Sequence, residues 1–94
     1  MTAIDTKLWN LQDMIRKLGF APEEHDPRDY REEWYITQVR GGTQNVRVIV
    51  HPDDGHRVEV HYLDRHFCAE WGTSFSGGTP HSVIRASLKG AINA

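Results

Sequence analysis

Four histidines, His51, His56, His61 and His66, recur at five-residue intervals, and imidazole is a common zinc ligand. Zinc needs three or four ligands converging at about 2.0–2.3 Å. Along a strand successive side chains alternate, so an odd spacing sends neighbouring histidines to opposite faces. His51 and His61 share a face, but the hairpin register argued below sets them about 13 Å apart, at roughly 3.3 Å per residue. No metal or cofactor is expected, and the histidines read as surface or rim groups. Cys68, with His61 or His66 and Glu70 nearby, has the composition of a nucleophile, a base and an orienting group. All of these project from what reads as a flat sheet, with no loop or helix N-terminus to serve as an oxyanion hole. Cys68 reads as an inert, half-buried thiol, and no catalytic residue is assigned.

Gly77-Gly78-Thr79 ahead of a helix could cradle an anion with backbone N–H groups. Pro80 removes one such donor, and the run fits neither the phosphate-loop nor the dinucleotide pattern. It reads as a joint and a helix cap. Carboxylates crowd the stretch from Glu23 to Glu33, where six acids (Glu23, Glu24, Asp26, Asp29, Glu32, Glu33) meet two arginines. Acid–base chemistry would need such groups held in a pocket with altered pKa values. A solvated charge run is the simpler reading, and a docking segment for a basic partner is the functional one. Trp71 reads as core from its alternation with Phe67 and Phe75, and Trp9 as part of a hydrophobic staple. Trp34 is favoured as core, with an exposed interface anchor as its other reading.

The elements that must position these residues follow from periodicity. Leu8, Leu11, Ile15 and Leu18 form one stripe of a helix over 5–18, with Asp5 as N-cap and Ile4 and Trp9 as the staple. Gly19 fits the left-handed position after the helix, Phe20 the apolar contact beyond it, and Pro22 the stop. Residues 21–33 read as an acidic connector. A strand over 34–40 has an ambiguous facing and ends at Gly41-Gly42. Val46, Val48 and Val50 alternate with Arg47, Ile49 and His51, and Val58, Val60 and Tyr62 with Arg57, Glu59 and His61. A type I turn over Asp53-Asp54, with Gly55 left-handed, pairs Val50 with Val58, Val48 with Val60 and Val46 with Tyr62. A loop of two or four residues then leads to a strand over 67–75. Thr79 caps a second helix over 80–93, with Pro80 first and Val83, Ile84, Leu88, Ala91 and Ile92 as its stripe. The result is an α+β two-layer sandwich, α-β-β-β-β-α, a four-stranded antiparallel meander with both helices on its valine face.

Ninety-four residues make one domain, able to bury about 60–65% of its unfolded surface. A lone cysteine excludes an internal disulfide, and apolar runs of four residues or fewer fall far short of the roughly 20 needed to cross a bilayer. No basic stretch followed by an apolar run suggests a leader, so the expected location is the cytoplasm. A formal charge of −2 gives no electrostatic footprint for nucleic acid. The sheet face opposite the helices carries Arg47, Ile49, His51, Arg57, Glu59 and His61, with Ile49 exposed and Cys68 and Glu70 alongside. With Glu23, Glu24, Asp26, Asp29 and Trp34, these are the candidate partner-binding residues. Self-association through that face or through a strand edge is the other expectation.

The stretch Val58-Glu59-Val60-His61-Tyr62, the run from Ala69 through Trp71 to Thr79-Pro80, and the following Val83-Ile84-Arg85-Ala86 carry a resemblance. They resemble small uncharacterised proteins of actinobacterial phages and mobile elements. They are also similar to a domain of unknown function in actinobacterial plasmid-spread proteins. The resemblance covers about a quarter of the chain and implies a phage or mobile-element protein that acts non-enzymatically, by binding and inhibiting or otherwise modulating a host protein. Polymerases, growth and division factors and defence systems are the implied targets. The alternative is a nucleic-acid accessory protein for phage or plasmid maintenance, which would need a basic stripe of Arg40, Arg47, Arg57 and Arg85.

Overall fold

Residues 6–24 and 32–93 are described by the computed structural model. The first element is α1 (Thr6–Lys17), which buries Leu11 and Ile15. It ends as its residue types require: Gly19 takes φ 101°, the Gly19 N–H donates to the Arg16 carbonyl at 2.9 Å, and the Phe20 N–H to that of Ile15 at 3.4 Å. These two bonds close the left-handed glycine motif and turn Phe20 into the core, where it is buried. Asp5 and Ile4 lie outside the described residues. Trp9 is 58% exposed.

Five strands follow, β1 (Ala21–Glu23), β2 (Glu33–Gln38), β3 (Asn45–His51), β4 (Arg57–Leu63) and β5 (Ala69–Phe75), in an antiparallel meander whose spatial order is the chain order. The last element is α2 (His81–Ile92). The expected four-stranded sheet therefore gains an edge strand, β1, inside the segment read as a connector. Its partner supplies the reason: Ala21, Pro22 and Glu23 pair with Ile36, Tyr35 and Trp34, and such a short edge strand needs no β-propensity of its own.

The β3–β4 register is the expected one, Val50 with Val58, Val48 with Val60 and Val46 with Tyr62. The turn that delivers it differs. The Asp54 N–H donates to the His51 carbonyl, the Arg57 N–H to that of Asp54, and both Gly55 and His56 are left-handed, at φ 61° and 65°. The β4–β5 turn is likewise neither of the two loops expected. Asp64 and Cys68 close a three-residue loop in which Phe67, at φ 64°, takes the left-handed position. Asp64 Oδ1 accepts the His66 and Cys68 N–H groups, which hold its carboxyl below the usual range. Phe67 is thus an exposed turn residue rather than a strand residue of the core.

Alternation sends Val46, Val48, Val50, Val58, Val60, Tyr35 and Tyr62 to one face. There they meet Leu11 and Ile15 of α1 and Ile84, Leu88 and Ala91 of α2. Gln12 Nε2 and Tyr35 Oη both donate to Glu33 Oε1, at 2.7 and 2.9 Å, and so join α1 to β2. Burial first, and the Glu33 carboxylate second, push the Tyr35 phenol up to about 12. The helices leave most of β5 uncovered. Six of its seven residues are exposed, and Trp71, expected in the core, stacks on Tyr62 at 5.4 Å while remaining 44% exposed. Val83, expected in the buried stripe of α2, is 48% exposed. Thr79 does not cap α2. Pro80 occupies the cap position with no side-chain bond to the first turn, and Thr79 Oγ1 lies 3.4 Å from Ser76 Oγ.

The Gly77 turn after β5 is pressed against the β3–β4 turn. A Cβ on Gly77 would stand 1.9 Å from the Gly55 carbonyl oxygen, whereas one on Gly78 would meet nothing within 4 Å. Gly77→Ala is expected to lower unfolding free energy by about 1–3 kcal/mol in urea melts, with Gly78→Ala close to neutral. Phe67→Gly relieves a left-handed bulky residue and is expected to raise stability by about 1 kcal/mol in the same assay.

Candidate functional site

The same alternation that buries the valines collects the chemistry-bearing side chains on the opposite face of the sheet. Strand pairing sets them in rows. One row runs Glu23, Trp34, Ile49, Glu59, Ser74, and the next Ala21, Ile36, Arg47, His61, Gly72. His51 and Arg57 form a third pair beside the first row.

At one end Arg47 is clasped. Its Nε and Nη2 donate to both oxygens of Glu23, at 2.8 and 2.6 Å, and its guanidinium carbon lies 4.9 Å from the Trp34 ring centroid. Both charged side chains are four-fifths covered, the setting in which a bidentate pair is strongest. Trp34 Nε1 in turn donates to Glu32 Oε2 at 2.8 Å. Trp34 is therefore half-buried on the outer face, neither a residue of the main core nor a free anchor.

At the other end Glu59 is the hub. Its Oε2 lies 2.5 Å from His51 Nε2, and its Oε1 lies 3.5 Å from Arg57 Nη1 and 3.9 Å from His61 Nε2. Arg57 also donates from Nε to Asp54 Oδ2 at 2.8 Å, and His51 Nδ1 stands 3.8 Å from Glu32 Oε1. Burial alone would raise the Glu59 carboxyl. The His51 hydrogen bond and the positive charges of His51, Arg57 and His61 outweigh it and hold the group below its usual value. The two histidines placed about 13 Å apart along the strands are thus brought to the same carboxylate, because Glu59 sits between them. Among the described residues no three His, Cys, Asp or Glu side chains converge to hold a metal ion.

Of the residues singled out from the sequence, Glu23, Trp34, Arg47, Ile49, His51, Arg57, Glu59 and His61 come together on this one surface. Ile49, expected to be exposed, is 6% exposed, set in its row between Trp34 and Glu59. Glu24 is exposed beyond the end of β1. Asp26 and Asp29 lie outside the described residues. Cys68 is an exposed turn residue rather than a half-buried one on this face. Glu70 falls at a register shift between the Tyr62–Trp71 and Leu63–Ala69 pairs, which removes it from the regular alternation. No continuous basic stripe forms from the four arginines. Arg47 and Arg57 are ion-paired on the outer face, whereas Arg85 is carried by α2 on the opposite side of the sheet. Sequence reasoning missed Glu32 as a constituent. Its contact with Trp34 is a local one, two residues away in sequence, and was hidden within the charge run.

Comparisons of the chain with family models, with curated proteins and with solved structures return no match. No helix among the described residues is long and apolar enough to cross a membrane.

Glu59 titrates with a depressed value in the folded state. Its contribution to stability is complete above the unfolded carboxylate value near 4.5 and is lost as pH falls through the lower folded value. Glu59→Gln is expected to be less stable than the parent at about pH 6, and the two urea midpoints should converge by about pH 3. A constant gap across that range would show that Glu59 acts by packing alone.

Proposed function

We propose that the chain is a small, non-enzymatic protein-binding module, encoded by a phage or mobile element and working in the bacterial cytoplasm by capturing and modulating a host protein. The observation that carries this reading is the fixed array of Trp34, Arg47 and Glu23 on the broad sheet face opposite the two described helices. Tryptophan and arginine are the side chains most enriched at interface hot spots, and here both are already held by neighbours. A preset array loses little conformational freedom on docking, so more of the contact energy is expressed as affinity. Breadth points the same way: a five-stranded face offers the area that contact with a protein surface needs. The Glu59 cluster beside the array supplies charges of both signs, which set the orientation of a partner more than the strength of its binding.

The test is capture of binding proteins by the tagged chain in an actinobacterial host, with mass spectrometry of what is retained. One host protein at near-stoichiometric amount is expected, retained by a Gly78→Ala control and lost by at least about tenfold in Trp34→Ala. A folded bait at adequate abundance that enriches no protein would overturn the reading.

A further inference from the structure

The two edges of the sheet are built differently. β1 is three residues long, carries Pro22 at its centre and ends on the ion-paired Glu23, three devices that discourage a further strand from adding. β5 has seven residues and no proline, and from Trp71 to Phe75 it carries no charge. Every second backbone N–H and C=O of that strand faces outward, with no strand beside it among the described residues.

The residue order of this edge reads nearly the same in both directions: Trp71, Gly72, Thr73, Ser74, Phe75. It is aromatic, small, threonine, small, aromatic. We propose that β5 is a self-pairing edge, and that two copies of the chain join through it about a two-fold axis at Thr73 into one ten-stranded antiparallel sheet.

An isologous contact requires that each residue meet a suitable one when the strand is reversed. Centring on Thr73 places Trp71 opposite Phe75 of the second copy, Gly72 opposite its Ser74, and Thr73 opposite itself. Trp71, Thr73 and Phe75 pair with Tyr62, Val60 and Val58, so all three lie on the helix-bearing face. Each aromatic pair therefore forms on that face, twice over. Aromatic pairs and threonine pairs are among the favourable cross-strand combinations. Trp71, 44% exposed and stacked on Tyr62, is covered by this arrangement, and the small residues on the other face leave the two backbones free to approach.

Charge agrees with the register. Glu70 is exposed and, among the described residues, has no ion-pair partner. In the two-fold arrangement it falls opposite Ser76 of the second copy. The next residue, Gly77, is where the exposed Lys7 ammonium is anchored, at 3.2 Å from the carbonyl oxygen. Glu70 of each copy thus meets no like charge there, and the other copy's lysine is held one residue further on. β5 is accessible to this approach, since six of its seven residues are exposed.

The register makes a demanding test, because residue 73 meets itself. Sedimentation equilibrium and light scattering of the whole chain should show a concentration-dependent dimer. Thr73→Lys and Thr73→Glu each set like charges directly opposite one another and are expected to weaken the dimer by at least about tenfold, with unchanged circular dichroism. Mixing the two variants in equal amounts should restore a dimer containing one of each, and Thr73→Val should dimerise as the parent does. Hydrogen exchange should slow at residues 71–75 as concentration rises. A parent that stays monomeric to about 1 mM, or single variants that dimerise undiminished, would overturn the proposal. So would a mixture that fails to recover, by removing the two-fold register. A monomeric parent whose β5 amides are protected only by another protein's strand would assign the edge to that partner instead.

Discussion

Everything in this molecule depends on one register, the pairing of β3 with β4. Side chains alternate with a period of two, so a slip of β4 by one residue would carry Glu59 and His61 into the core and turn Val58 and Val60 to water. The register is held by the double turn between His51 and Arg57, where Gly55 and His56 accept left-handed conformations. Gly77 braces that turn from outside by lying against the Gly55 carbonyl. Two glycines distant in sequence thus link the central hairpin to the approach of α2.

The outer face is the polar complement of the same decision. Once the valines are inside, Arg47, Glu59 and His61 must be outside, and the meander brings Glu23 and Trp34 alongside them from the strands next to β3. The resulting contacts are mutual: Arg47 is fixed by Glu23, Trp34 by Glu32 and Arg47, and His51 by Glu59. Such a surface does not collapse on itself or wander, which is a condition for recognising a partner of fixed shape. The edge formed by β5 is a separate surface with different chemistry, aromatic and, from Trp71 to Phe75, uncharged.

Much of this was legible in the residues, for reasons that differ by element. The valine alternation and the Gly19–Phe20 stop are local signals, and both appear where the pattern places them. β1 was hidden because Ala21-Pro22-Glu23 carries no preference for a strand and is one only through β2. Trp71 was misplaced because alternation tells which face a side chain takes, not how far the helices extend across that face. Ile49 shows the converse, a residue on the outward side that is nonetheless buried. The Arg47–Glu23 clasp joins residues 24 positions apart, and composition cannot report such a pairing. Phe67 in a left-handed conformation was unreadable, since a bulky residue there contradicts turn preferences.

The placement of the two helices has a consequence for how the chain is made. α1 is the first described element to emerge during synthesis and α2 the last, yet they cover the same valine face. Each hairpin of the meander can form as soon as its second strand is released, because its contacts are local. The apolar floor cannot close until Ile84, Leu88 and Ala91 are free of the ribosome. A chain that lacks α2 therefore presents its valine face with part of the cover missing, and such bare valines would mark the product for the cell's chaperones and proteases.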